Sequence, residues 1–201
     1  MRVSERQIFS QASANAARAR EENLRASQEV SSGLRVEHPS DDPAAAAQAT
    51  QAKLAIARFD AIGTTVKRVA DEVQASDGAL DTVTTALARA RELAVQLSNS
   101  TYTAAQRAGA ATEVDGLFQQ ILGALNTKVG ARYVFAGHLD ATPPFDATGT
   151  YRGDAGVQQV EIAPGVVQAA SLRADAAFTT ATGGVDVLAT VKALSTALST
   201  N

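Results

Sequence analysis

The chain has no cysteine and no tryptophan. Its 201 residues include one methionine, two histidines and five prolines, and only 4% are aromatic. Without cysteine there is no disulfide framework, no thiolate nucleophile and no Cys-built metal site. So few aromatic side chains argue against the thick core of a compact enzyme, since these residues carry much of the buried area in such cores. No apolar run approaches the 18 or so residues of a membrane-spanning helix. The first twenty residues are charged with no apolar run behind them, which excludes a secretory signal of the usual form. The balance of 18 basic and 21 acidic residues, net −3, lacks the excess positive charge of a dedicated nucleic-acid binder.

Alanine is abundant, at about a fifth of the chain and well above ordinary usage. It favours helix and buries little area, so the composition predicts long helices packed side by side. The prolines stand at 39, 43, 143, 144 and 164, leaving a hundred-residue interval open to uninterrupted helix.

The first segment, residues 4–32, carries a thin seven-residue stripe of Phe9, Ala16, Asn23 and Val30, with Ala12, Ala19 and Ala26 between them and Ile8 alongside. Such a stripe buries too little to hold a helix by itself, so this segment is expected to be disordered in the monomer and helical in an assembly. Gly33 is placed to end the helix in a left-handed conformation. Asp42 reads as the N-cap of the next helix and Pro43 as its first residue.

From Pro43 the heptad pattern is long. Phe59, Val66, Val73, Leu80, Leu87 and Ala94 recur by seven, and Ile62, Val69, Ser76, Val83, Ala90 and Leu97 follow three residues behind them. An unbroken helix over 43–98 is about 80 Å long at 1.5 Å per residue, with Gly63 and Gly78 as candidate kinks. Thr103-Ala104-Ala105-Gln106 has the form of a capping box. Ala111, Val114, Phe118, Ile121 and Leu125 continue a third helix, and the short loop at 99–102 predicts an antiparallel hairpin. After Gly130 the texture changes. Residues 133–135, 157–162 and 166–172 are strand candidates, the last two joined by the turn Ala163-Pro164-Gly165. A closing amphipathic helix covers 186–198, with Val187, Leu188, Val191, Leu194 and Leu198 on its apolar positions. The predicted fold is mainly α: a long antiparallel coiled-coil-like helical rod with a small β-rich insertion.

No catalytic constellation is visible, and no cofactor or metal is expected. His38 and His138 sit beside turn residues, and His138 with Asp140 is too small a set for a metal site. Asp41-Asp42 read as helix capping. Gly153-Asp154-Ala155-Gly156 lacks the lysine and helix of a phosphate loop. Arg89, Arg91 and Arg107 read as solvated helix positions.

Several segments taken together resemble the flagellin superfamily. Ser31-Ser32-Gly33-Leu34-Arg35-Val36, followed by Ser40-Asp41-Asp42-Pro43-Ala44, is similar to the turn joining the first two helices of flagellins. Ser76-Asp77-Gly78-Ala79-Leu80, Arg91-Glu92-Leu93-Ala94-Val95-Gln96 and Ser98-Asn99-Ser100-Thr101 are similar to the second helix of that superfamily. Arg132-Tyr133-Val134-Phe135-Ala136-Gly137, Thr142-Pro143-Pro144-Phe145, Tyr151-Arg152-Gly153-Asp154-Ala155-Gly156 and Gly184-Val185-Asp186-Val187-Leu188 resemble its hook–filament junction members more than its filament members.

The resemblance implies a non-enzymatic structural subunit of the bacterial flagellum. It would be extracellular, exported through the flagellar type III channel without a cleaved signal, and assembled through coiled-coil helices. The implied partners are further copies, neighbouring hook-associated proteins and flagellin, and an export chaperone, with no nucleic acid and no membrane. Alternatives are a filament flagellin and a non-flagellar coiled-coil adaptor.

The expected division is a terminal assembly region (1–38), the helical hairpin of the rod (39–129), an outward-facing β-rich insertion (130–180) and a short helix (181–201). The assembly surface falls on Ile8, Phe9, Ala12, Ala16, Ala19 and Val30. The rod core falls on Phe59, Ile62, Val66, Val69, Val73, Leu80, Val83, Leu87, Leu97, Val114, Phe118, Ile121 and Leu125. The turn is carried by Gly33, Arg35, Asp41, Asp42 and Pro43. Members of the superfamily carry a long C-terminal helical section that returns along the rod, and no equivalent is expected within these 201 residues.

Overall fold

A computed structural model describes residues 2–36, 38–99, 101–181 and 183–200. Ser100, within one of the segments quoted above, lies outside them. Five helices and two small sheets follow in the order α1 (Arg2–Ser32), α2 (Pro43–Leu97), α3 (Ala104–Leu125), β1 (Lys128–Val129), β2 (Arg132–Tyr133), β3 (Gln159–Ala163), β4 (Val166–Ala169), α4 (Ala174–Phe178) and α5 (Val187–Thr200). The chain divides into two compact units, Met1–Phe59 and Asp60–Asn201. The boundary falls inside α2.

In the first unit, α1 ends where the chain predicts. The Gly33 amide closes on Glu29 O at 2.9 Å, and Gly33 then turns left-handed at φ +68. Asp42 caps α2, its Oδ1 accepting from the Ala45 amide at 2.9 Å, and Pro43 occupies the first helical position, where its missing N–H costs nothing. α2 then runs 55 residues as one helix. Gly63 and Gly78 do not break it, because one glycine costs only about 1 kcal/mol against the cooperative ladder around it.

The core lies in the second unit. The Thr103 hydroxyl accepts from the Gln106 amide while the Gln106 side chain accepts from the Thr103 amide, completing the capping box of α3. α2 and α3 form the expected antiparallel hairpin. Arg89 Nε donates to Glu113 across it at 2.7 Å, and the Gln96 amide reaches the Tyr102 hydroxyl near its tip. α5 lies antiparallel to α3: Ser195 donates to Asp115 at 2.6 Å, while Leu188 and Phe118 flank Gly149 further along. Leu188, Val191, Ser195 and Leu198, spaced three and four apart, form the buried stripe of α5.

The seam on α2 differs from the expected register. Its buried residues are Ala79, Val83, Ala86, Ala90 and Leu93. Val83 belongs to the expected set, but Leu80, Leu87 and Leu97 are half-buried at the edge of the cluster. Ranking by hydrophobicity favours the leucines. Packing favours alanine at 79 and 86, which leaves room for Val114, Phe118 and Ile121 of α3. Further toward the N-terminus, Phe59, Val66 and Val73 are exposed, and Ile62 and Val69 are half-buried. The reason is length: α3 has 22 residues, so an antiparallel α3 starting at the hairpin tip covers only the last 22 or so of α2. Val114, Phe118, Ile121 and Leu125 are all buried.

The β-rich region is two antiparallel two-stranded ladders. β1 and β2 pair Lys128 with Tyr133 and Val129 with Arg132 across Gly130-Ala131. The expected strand at 133–135 is therefore mostly not strand: it stops at Tyr133, and Phe135 turns into the core. β3 and β4 form the hairpin across Pro164-Gly165, with Gly165 at φ +78. β4 ends at Ala169, short of the expected Leu172.

Candidate assembly surface

Two surfaces carry the residues singled out from the sequence. The first is α1 with the turn that follows it. Ile8, Phe9, Ala12, Ala16, Ala19 and Val30 are all exposed, Phe9 at 77% and Val30 at 85%. The described apolar side chains of this 31-residue helix thus lie in solvent. The turn is tied by charge. Arg35 meets Asp42 at 3.0 Å and Arg25 reaches Asp41 at 3.4 Å, while Asp41 also accepts from the His38 amide at 2.9 Å. The Ala45 amide, then the Arg35 guanidinium, hold the Asp42 carboxyl below the usual aspartate range. An open groove of about 520 Å³ runs between α1 and the turn, lined by Arg18, Glu22, Arg25, Leu34, Arg35 and Asp41.

The second surface is the β-rich region, and here the quoted motifs have structural reasons. Asn126, directly after α3, makes a reciprocal pair with Phe145: its amide donates to Phe145 O at 2.9 Å and its carbonyl accepts from the Phe145 amide at 3.0 Å. Phe145 bridges to Tyr151, and their rings pack 5.1 Å apart. Asp146 closes the turn between them by accepting from the Thr148 and Thr150 amides and from Arg152. The Tyr151 hydroxyl donates to Asp154 O at 2.8 Å, and burial pushes its phenol up to about 12. Asp154 Oδ1 accepts from the His138 and Gly156 amides, which lower its carboxyl. A Cβ at Gly137 would stand 2.0 Å from Asp154 Oδ1, and one at Gly156 2.2 Å from the His138 ring. The glycines of these motifs are therefore points of close approach. Gly153–Gly156 is a turn that knits two loops together.

Arg132 fastens this region to α2. It pairs with Asp140 on its own side and reaches Glu72 at 4.0 Å, while Arg68 holds Glu72 at 2.6 Å. Asp175, nearly buried, is paired with Arg173 at 2.7 Å. The arginines read as solvated have more specific roles. Arg89 bridges Glu113 and Glu92, and Arg107 donates to Tyr102 O at 2.6 Å in the hairpin loop. His138 is exposed, and among the described residues no group of three or more His, Asp or Glu is placed to hold a metal. No described helix is long and apolar enough to cross a membrane. Asn126, Asp146, Glu72 and the Arg132 clamp were missed from sequence. Only Asn126, standing just past the last apolar residue of α3, carried a local signal, that of a helix C-terminus.

The bacterial flagellin N-terminal helical region matches residues 3–140, and the chain belongs to that family. Flagellar hook-associated protein 3 of Salmonella typhimurium is 34% identical over 155 residues, covering 76% of this chain and 49% of the relative. The chain thus spans about half the length of that relative. The crystal structure of FlgL from Xanthomonas campestris superposes with a TM-score of 0.57 at 31% identity, over 62% of this chain and 42% of that one. A structure described as a flagellar hook-associated protein from Vibrio parahaemolyticus reaches a TM-score of 0.65 over 81% of this chain and 74% of that one; at 22% identity it speaks for the fold alone.

Proposed function

We propose that this chain is a structural subunit of the bacterial flagellum at the hook–filament junction, held outside the cell and without catalytic activity. The observation that carries the reading is α1, a long helix whose described apolar residues are exposed. Exposed apolar surface of this extent marks an interaction site. The similarity to hook-associated protein 3 supports the junction over other sites, and the clustering of the junction-type motifs around Asn126, Tyr151 and Asp154 supports the same branch of the family.

In this reading Ile8, Phe9, Ala12, Ala16, Ala19 and Val30 form the assembly surface. The monomer's α1 exchanges between helix and coil and becomes fully helical against its neighbours, because an uncovered alanine-rich helix cannot offset its ordering entropy. The neighbours are further copies, other hook-associated proteins and flagellin. Export proceeds through the type III channel with a chaperone bound, and neither nucleic acid nor membrane takes part. Deleting the gene in its own bacterium should leave hooks without filaments and flagellin shed into the medium, seen by electron microscopy. Attached filaments and normal swimming in the deletion strain would refute the reading.

A second reading, a filament flagellin, is favoured by the family match itself, which is to flagellin. Immunogold labelling separates the two: a band at the hook tip for the junction protein, label along the filament for a flagellin.

A further inference from the structure

We infer that Arg132 is a two-position latch between the β-rich region and α2: it is bound to Asp140 in this structure and moves onto Glu72 when Asp140 is drawn away. The inference stands apart from the assembly reading above and uses only contacts inside the second unit. Charge alternates in sign through Arg68, Glu72, Arg132 and Asp140, and each of the two middle groups has a near partner and a far one. Glu72 Oε1 lies 2.6 Å from Arg68 Nη1 and 4.0 Å from Arg132 Nη1. Arg132 meets Asp140 through Nε at 2.5 Å, so a different nitrogen of its planar fork already faces Glu72. The far contact is too long for a hydrogen bond, yet a shift of about 1 Å completes it. A polar cleft of about 10 Å³, lined by Glu72, Ser76, Arg132, Gln158 and Ser171, lies beside the pair, which gives the guanidinium room for that shift. The Glu72 side chain is only 13% exposed, against 37% for Arg132, so water screens their attraction less than at an open surface. The other end of the latch is tied into the chain. Asp140 Oδ2 also accepts from Gln158 Nε2 at 3.5 Å, and Asp140 O accepts from the Tyr133 amide, next to Arg132, at 2.8 Å. Moving the 139–142 turn off Arg132 therefore passes the guanidinium to Glu72 and draws the β1–β2 turn toward α2.

The test reads the exchange of partners. Asp140→Asn removes the charge that holds Arg132 and keeps the backbone oxygen that the Tyr133 amide uses. A double-mutant cycle of Glu72→Gln and Arg132→Gln is measured by urea unfolding of the whole chain, once in the wild-type background and once with Asp140→Asn. The Arg68 contact is lost in both legs that remove Glu72, so it cancels. The coupling between Glu72 and Arg132 is expected to change the unfolding equilibrium less than about twofold in the wild-type background and about fivefold or more with Asp140→Asn. Equal coupling in the two backgrounds would mean that Arg132 does not move, and overturns the inference. The second measurement is amide hydrogen exchange by NMR. With Asp140→Asn the Tyr133 amide should exchange about tenfold faster, while the Val134 amide, which donates to Thr127 O, keeps its rate. Adding Glu72→Gln should return Tyr133 toward the wild-type rate, because the pull from α2 is gone. A double variant that exchanges as fast as Asp140→Asn alone would mean that only a local contact was lost, and an unchanged Tyr133 rate in Asp140→Asn would mean that β2 stays where it was; either refutes the latch.

Discussion

At the scale of single residues, close packing and hydrogen-bond satisfaction separate positions that look alike in sequence. Gly137 and Gly109 are both glycines between ordinary neighbours. A Cβ at Gly137 meets Asp154 Oδ1 at 2.0 Å and its carbonyl at 2.7 Å, with φ at +70, whereas one at Gly109, inside α3, meets nothing within 4 Å. Gly137→Ala should therefore destabilise the second unit, and Gly109→Ala should stabilise it by about 0.5–1 kcal/mol through helix propensity. Urea denaturation of the two variants checks both signs at once. Asn126→Ala removes both partners of the Phe145 backbone, a residue only 2% exposed. Each buried group left unpaired costs about 1–3 kcal/mol. The Phe145 amide should lose its hydrogen-exchange protection while α3 keeps its own. In the α2 seam, Val83→Asp should lower the melting temperature more than Leu80→Asp, because Val83 is buried and Leu80 lies at the edge. Equal losses would restore the register read from hydrophobicity.

At the scale of elements, the ends of the helices and turns are held by carboxylates. Asp42 caps α2, Asp146 closes the 146–150 turn and Asp154 ties the His138 loop to Gly156. All three are held below the usual aspartate value, first by the Ala45 amide, by Thr148 and by the His138 amide respectively. A depressed folded value means stability that is present above the unfolded aspartate value, about 3.9, and lost as pH falls through the folded one. Acidification below about pH 4 should loosen the caps and the β-rich loops before it strips the apolar α2–α3–α5 packing. Near-ultraviolet circular dichroism should therefore fall ahead of the helical signal. A simultaneous loss of both signals would count against this order. At the other extreme Tyr151, raised to about 12 by burial, contributes stability that is intact below about pH 10 and lost as pH climbs through its folded value. Its phenolate absorbance should appear only as pH climbs toward that raised value.

At the scale of the whole molecule, stability is unevenly distributed. The second unit holds the aromatic and aliphatic core, including Ile121, Leu125, Phe135 and Leu188, all nearly inaccessible. The described apolar side chains of α1 lie in solvent. Dilute trypsin should cut at Arg18, Arg20 and Arg25 well before Arg107 in α3, and assembly should protect the first three. Equal protection in the isolated chain would mean that α1 is stable without cover. How much of this was legible in the sequence follows from the range of each interaction. Helix existence, the Gly33 stop, the Asp42 and Thr103 caps and the 163–165 turn were legible because each depends on residues within one or two turns of each other. Seven-residue repetition likewise fixed that α2 is one helix with an apolar side. It could not say which part of that side is covered, because coverage depends on the length of α3 and on where the chain returns. Nor could it place the seam at Ala79, Val83 and Ala86: that choice is made by the bulk of residues on α3, distant in the sequence. The Asn126–Phe145 pair, the Arg132–Glu72 clamp and the cradle around Asp154 are contacts of the same kind, between residues that only folding brings together. Local chemistry in the sequence determined the elements and their ends; packing in three dimensions decided which apolar residues became core and which were left exposed.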